Sequence, residues 1–128
     1  MPTIKFTIPI APVTKKNHSQ ILINKKTGRP FIAPSPQYKK YERYVAGEIQ
    51  GLGLPYDINK PCNVKAIYYM PTRRRVDLVN LHSALHDVLV HCRILEDDNS
   101  KIIASTDGSR VMHDKDNPRT EVEITWED

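Results

Sequence analysis

The residue types best suited to chemistry lie between positions 73 and 102, where a basic run leads into an acidic one. The charged residues that stand out are Arg73, Arg74, Arg75, Asp77, Glu96, Asp97 and Asp98. Carboxylate oxygens are the ligands that Mg²⁺ prefers, and clustered arginines bind phosphate oxygens. The pattern therefore indicates a site at which an anionic substrate meets a divalent cation.

A helix is predicted between these two charged groups. Apolar residues recur there at intervals of three and four, as on the buried face of a helix. These residues are Leu78, Leu81, Leu85, Val88, Leu89 and Cys92. A narrower stripe beside them consists of Asp77, Asn80, Ala84, Asp87 and His91. We expect a helix over residues 77–92, and for Asp77 at its start both helix capping and ligand binding are open.

The same stretch resembles the core of the RusA family of Holliday-junction resolvases. That core has an arginine-rich segment, then Asp-x-Asp-Asn-Leu-x-Lys, an Asp-Ala-Leu-like segment and a later Asp-Asp. The matching residues are Asp77, Asn80, Leu81, Asp87, Leu89, Asp97 and Asp98. Val79 stands where the second motif aspartate belongs, and Ser83 stands where the motif lysine belongs.

The resemblance implies a small homodimeric endonuclease that cuts four-way DNA junctions with Mg²⁺ or Mn²⁺. It also implies a place in the cytoplasm of a bacterial or phage-infected cell. The expected catalytic residues are Asp77, Asp97 and Asp98. The expected metal ligands are Asp77, Asp98 and Asp107.

The missing motif residues leave alternatives open. Asp97 and Asp107, ahead of Glu96, are the candidates to replace the carboxylate absent at Val79. Lys101 or one of the three arginines is the candidate to replace the lysine.

Helix geometry limits how these acids can meet. A helix over residues 77–92 separates its ends by about 23 Å. Asp77 and Asp98 can therefore share an ion only if the chain folds back or a partner subunit supplies one of them. Asp87, about 15 Å along the helix from Asp77, is interpreted as structural. His82 and His86 are interpreted as facing mostly solvent.

Charge is divided unevenly along the chain. Residues 1–75 carry 14 Lys and Arg against 3 Asp and Glu, whereas residues 76–128 carry 5 against 12. Such a division favours a polyanionic partner on the basic part and a separate acidic site. The expected DNA-binding residues are Lys15, Lys16, Lys25, Lys26, Arg29, Arg73, Arg74, Arg75 and Lys101.

The remaining patterns predict one α+β domain over residues 1–128, with a mixed β-sheet and two main helices on one face. Strands are predicted over residues 3–10, 63–70, 101–106 and 120–126, with a strand returning over 110–113. A hairpin around Gly28 is predicted from residues 21–24 and 30–33, and a second helix from 37–50. Two cysteines support neither a disulfide framework nor a zinc site, and no apolar run is long enough for a membrane span.

Two other classes of function remain open. One is a junction-binding protein of the same fold that has lost cleavage, which the substitutions at Val79 and Ser83 would allow. The other is a basic RNA-binding module, although the aromatic-rich motifs typical of such modules are absent from the sequence.

Overall fold

The sheet is built around one long strand, β4 (Cys62–Met70), in a computed structural model that describes residues 1–14, 20–33, 36–54 and 57–127. On one side β4 pairs antiparallel with β7 (Arg119–Trp126), and β7 pairs antiparallel with β1 (Thr3–Ile8). The strand predicted over residues 3–10 ends earlier, at Ile8, because Pro9 has no N–H group for the ladder. The central position predicted for residues 63–70 is confirmed.

The other side of β4 carries two short strands in succession. Both β5 (Ile103–Ser105) and β6 (Arg110–His113) run parallel to β4. The strand predicted over residues 110–113 is confirmed with those bounds, but it runs in the same direction as β5 and does not return against it. The Asn63 side chain spans the break between them, because its Oδ1 accepts the Ser105 hydroxyl at 2.6 Å and the backbone N–H of Asp107 at 2.7 Å.

A separate hairpin is formed by β2 (Gln20–Ile23) and β3 (Pro30–Ala33), as predicted. Gly28 in its tip has φ 70°, a left-handed conformation that glycine adopts without steric cost. The hairpin makes its own two-stranded sheet rather than extending the main one.

Two helices cover one face of the main sheet. The first is α1 (Pro36–Gln50), which buries Tyr38, Tyr41, Val45 and Ile49. The second is α2 (Leu78–His91), which buries Leu81, Ala84, Leu85, Val88 and Leu89. Facing them are the sheet residues Phe6, Ile8, Val64, Ala66, Tyr68, Val122 and Ile124. The predicted α+β architecture, a mixed sheet with two main helices on one face, is confirmed.

The opposite face of the sheet carries charge. Glu123 lies 3.6 Å from the Lys5 ammonium and 3.8 Å from that of Lys65, across both neighbouring strands. Cys62 and Cys92 are free thiols. Within the described ranges, no helix combines the length and the apolar character that crossing a membrane requires.

His82 and His86 are partly buried and do not face mostly solvent, which corrects the sequence interpretation. The rings of His82 and His86 stack with centroids 5.3 Å apart, and His82 Nδ1 lies 2.7 Å from the Tyr68 hydroxyl. The Nε2 atoms of both rings are buried without a hydrogen-bond partner in the described part of the chain. Burial lowers the pKa of His82, and burial followed by the neighbouring His82 lowers the pKa of His86 to about 4.

This burial makes stability depend on pH. The unfolded chain protonates His86 near its ordinary pKa, whereas the folded chain does so only near pH 4, so stability is lost as pH falls below about 6.5. Between pH 7.5 and pH 5 we expect wild type to lose about 1–2 kcal/mol more unfolding free energy than His86→Leu. Urea unfolding at both pH values measures this difference. His113→Leu, at an exposed strand position, should keep the wild-type dependence, and equal losses in all three proteins would contradict the prediction.

Candidate functional site

Asp77 lies in the loop after β4, and its carboxylate is exposed. Asp77 occupies the N-cap position of α2 (φ −82°, ψ 124°), and its backbone carbonyl accepts the Leu81 N–H at 3.1 Å. Its side chain makes no capping hydrogen bond and only accepts one from Asn80 Nδ2 at 3.3 Å. The carboxylate is exposed beside the start of α2 and does not cap the backbone N–H groups of the first helical turn.

The turn after α2 is held in place by its apolar residues. Arg93 adopts the left-handed conformation at φ 64°, and the Ile94 N–H donates to the Leu89 carbonyl at 3.0 Å, which stops the helix. Ile94 and Leu95 are then fully buried, so the acidic residues that follow are anchored close to the helix.

Asp97 shapes this acidic turn. One of its oxygens accepts the Asp98 N–H at 2.7 Å and the other accepts the Asn99 side-chain amide at 3.0 Å. These two hydrogen bonds hold the pKa of Asp97 below its usual range. Both oxygens thus help to fix the turn, and the catalytic role expected for Asp97 stays a prediction.

Asp98 lies in a more negative environment. Slight desolvation of this exposed residue, a side-chain hydrogen bond with Asp97 and the charge of Asp87 raise its pKa above the usual range. Asp87 is therefore a neighbour of Asp98, although the sequence interpretation set it apart from the other acids. Carboxylates crowded in this way favour the binding of a cation, which would relieve their repulsion.

The predicted metal ligands do not come together in one chain. The charge of Asp87 acts on Asp98, and Asp87 is ten residues, or about 15 Å, along α2 from Asp77. Asp107 lies beside Asn63 at the start of β4, whereas Asp77 follows the end of that strand. Across the described ranges, no group of three or more His, Cys, Asp or Glu side chains could hold a metal ion. Their roles as ligands remain predictions.

The two positions that depart from the family motif are both on the surface. Val79 is 75% exposed next to Asp77, and Ser83 is exposed one turn further along α2. Lys101 is exposed in the turn that contains Asp98, where its N–H donates to Asn99 Oδ1 at 2.9 Å. Its part as a replacement for the motif lysine stays a prediction.

The three arginines border two clefts at the end of β4. Arg73 and Arg74 line one of about 380 Å³, and Arg74 and Arg75 line another of about 340 Å³. Within the part of the chain that the structure describes, none of the three guanidinium groups forms an ion pair. They are free to bind phosphate beside Asp77.

The other expected DNA-binding residues are distributed over the chain. Lys25, Lys26 and Arg29 lie together at the tip of the β2–β3 hairpin and are exposed. Lys15 and Lys16 lie outside the described residues.

This α+β domain displays an exposed carboxylate close to three arginines that form no ion pair with any described residue, which are features of an enzyme acting on a nucleic-acid backbone. The comparisons agree: the model of the family described as Endodeoxyribonuclease RusA matches residues 9–125, and this chain belongs to that family. The match confirms the resemblance found in the core motif and extends it over nearly the whole chain. No curated protein matches the chain significantly.

The arginine cluster makes a measurable prediction. Each phosphate that a protein neutralises contributes about −0.9 to the slope of log K against log salt concentration for duplex DNA. Changing Arg73, Arg74 and Arg75 together to alanine should reduce the magnitude of that slope by up to about 2.7. Fluorescence anisotropy with a labelled duplex between low and high salt measures it.

The matched control is Arg93→Ala. This arginine is exposed but already paired with Asp57 at 2.8 Å, so its loss should leave the slope unchanged. An unchanged slope in the triple variant would remove the three arginines from the DNA interface.

Proposed function

We propose that this protein is a metal-dependent endonuclease that resolves four-way DNA junctions by paired phosphodiester cleavage during recombination and repair. The observation that carries the proposal is the exposed Asp77 carboxylate, which makes no capping hydrogen bond and lies two residues after Arg75. The three arginines before it form no ion pair among the described residues. Membership of an endodeoxyribonuclease family supports the reaction class.

The donor set suits a hard divalent cation such as Mg²⁺ or Mn²⁺. Asp77 and Asp98 would hold it through carboxylate oxygens, and the bound ion supplies an activated water together with charge stabilisation at phosphorus. The arginines hold the scissile strand by its phosphates, and Lys101 supplies a cation in place of the motif lysine absent at Ser83.

A homodimer completes this site. Because Asp77 and Asp98 lie toward opposite ends of α2 in one protomer, we propose that Asp77 meets Asp98 of the partner subunit. A two-fold dimer then contains two equivalent sites. Two such sites match the paired scissile phosphates of a four-way junction, which are related by near two-fold symmetry.

One observation favours a second candidate, a junction-binding protein without cleavage. Val79 leaves an exposed apolar side chain where the family motif has a carboxylate, so the site is one acid short. Against this candidate, the charge of Asp87 acts on Asp98, so Asp87 is a further carboxylate that the proposed site could use.

Substitution of the acids distinguishes the two candidates. Asp77→Asn and Asp98→Asn should each slow metal-dependent nicking of a synthetic four-way junction by about 100-fold or more, because an amide is a poorer ligand. Junction binding should remain equal or become tighter, because a negative charge near phosphate is removed. Gel assays of nicking with Mg²⁺ or Mn²⁺, beside a linear duplex, measure the first effect, and gel-shift assays with the same junction measure the second.

The control makes the matching change from carboxylate to amide at an exposed acid of α1, Glu48→Gln, which should nick at the wild-type rate. A wild-type protein that binds junctions and never nicks them with either metal would establish the second candidate instead.

A further inference from the structure

The β2–β3 hairpin displays an apolar face to solvent. Ile21, Ile23 and Ile32 are 75%, 68% and 76% exposed. Ile21 lies directly opposite Ile32, and Ile23 is two residues further along the same strand, so all three side chains project from one face. Leu22 and Phe31, on the other face, are less exposed at 39% and 45%.

Such a face indicates a contact surface. A contiguous apolar patch on a soluble domain commonly marks a binding site, and an isolated two-stranded hairpin is only marginally stable in water. The hairpin belongs to no larger sheet, and nothing in the described ranges covers the three isoleucines. A binding partner would therefore both cover the face and stabilise the hairpin.

The charge at the hairpin tip identifies the chemistry of that partner. Residues 20–33 include Lys25, Lys26 and Arg29 and contain no acid. None of these three cations forms an ion pair within the part of the chain that is described. A surface that combines an apolar face with an uncompensated cationic tip is complementary to a polyanion that also offers apolar planes.

The tip is ordered in advance of binding. Asn24 Oδ1 accepts the Lys26 N–H at 2.8 Å, and the Asn24 carbonyl accepts the Gly28 N–H at 2.7 Å. A second backbone bond, from the Asn24 N–H to the Arg29 carbonyl at 2.9 Å, closes the loop. The backbone that bears the cations is thus fixed relative to the isoleucine face.

We infer that the isoleucine face packs against base planes exposed at the branch point of a DNA junction, while Lys25, Lys26 and Arg29 hold the adjacent phosphates. The inference rests on the proposed function for the branched substrate. Apolar side chains bind DNA by inserting at base steps, at a cost in unstacking that is smallest where pairing is already interrupted. A linear duplex presents no such plane, so the hairpin confers preference for branched DNA.

A second copy of the chain fits this surface less well. Hairpins that met face to face would bring two sets of three cations together without an acid in either. Three isoleucine side chains also bury far less than the about 800 Å² that each partner contributes to a standard interface.

The test uses the full chain with Ile21→Thr, Ile23→Thr and Ile32→Thr combined, because threonine keeps the β-branched shape that suits a strand. Dissociation constants for a four-way junction and for a linear duplex of equal length give the junction preference. It should fall by about tenfold or more, as expected for the loss of contacts with a base, while duplex affinity remains unchanged. The matched control, Leu52→Thr, alters another exposed apolar residue (49%) and should keep the preference.

A second measurement needs no variant. The fluorescence of 2-aminopurine placed at the branch point should rise when wild-type protein binds, because the base loses its stacked neighbour. Absence of that rise, or a triple variant with the wild-type preference, would overturn the inference. A triple variant that is monomeric by light scattering where wild type is dimeric would overturn it too, since the face would then belong to a second copy.

Nicking is scored separately, so the two proposals fail in different ways. A junction preference that depends on the isoleucines in a protein that never nicks supports the hairpin's role and contradicts the proposed enzyme. Metal-dependent nicking with a junction preference independent of the isoleucines supports the proposed enzyme and contradicts the hairpin's role.

Discussion

The rigidity of α2 is the constraint on which the candidate site depends. Its 14 residues place its ends about 21 Å apart, and Leu85, Val88 and Leu89 are fully buried against the sheet. Asp77 is fixed at one end, and the acidic turn is fixed near the other by the buried side chains that follow the helix. This separation along α2 is the reason for the proposal that a centre using both carboxylates draws on two protomers.

Arginine has two different roles in this chain. Arg93 pairs with Asp57, and Arg119 pairs with Asp114 and Glu121 while its guanidinium group lies 3.7 Å from the centre of the Tyr69 ring. The ion pairs of these two arginines connect segments at the surface of the domain. The cluster that precedes α2 lacks such partners in the described chain, and that difference separates structural cations from those available to a phosphate backbone.

The sequence predicted those features that depend on local periodicity. The alternation in β4 and the three-to-four spacing in α2 follow from one-sided burial, and both elements appear close to their predicted bounds. The direction of β6 was missed because Asp107-Gly108 suggests a reversal. The parallel direction of β6 is instead stabilised by hydrogen bonds between residues distant in the sequence. Asn63 makes two of them, and the Ser109 hydroxyl accepts the Ala66 N–H at 3.0 Å.

The missed features of the site also depend on distant residues. The burial of His82 requires Tyr68 from β4, and no local pattern reveals that contact. The approach of Asp98 to Asp87 depends on the left-handed residue that ends α2 and on the buried pair Ile94 and Leu95. Two apolar residues directly after a helix were the one available signal that the chain turns back there. The family resemblance, by contrast, needed only the linear motif and is confirmed over residues 9–125.

The central claim, a cleavage centre shared between protomers, is tested most directly by mixing two inactive proteins. Asp77→Asn and Asp98→Asn homodimers each lack both sites, whereas a heterodimer of the two retains one site with Asp77 and Asp98 intact. Co-expression with two affinity tags isolates that heterodimer, and nicking of a four-way junction is then measured with Mg²⁺. The shared-site account predicts restored nicking on one strand of each junction. No recovery in a purified heterodimer that still binds junctions would contradict it.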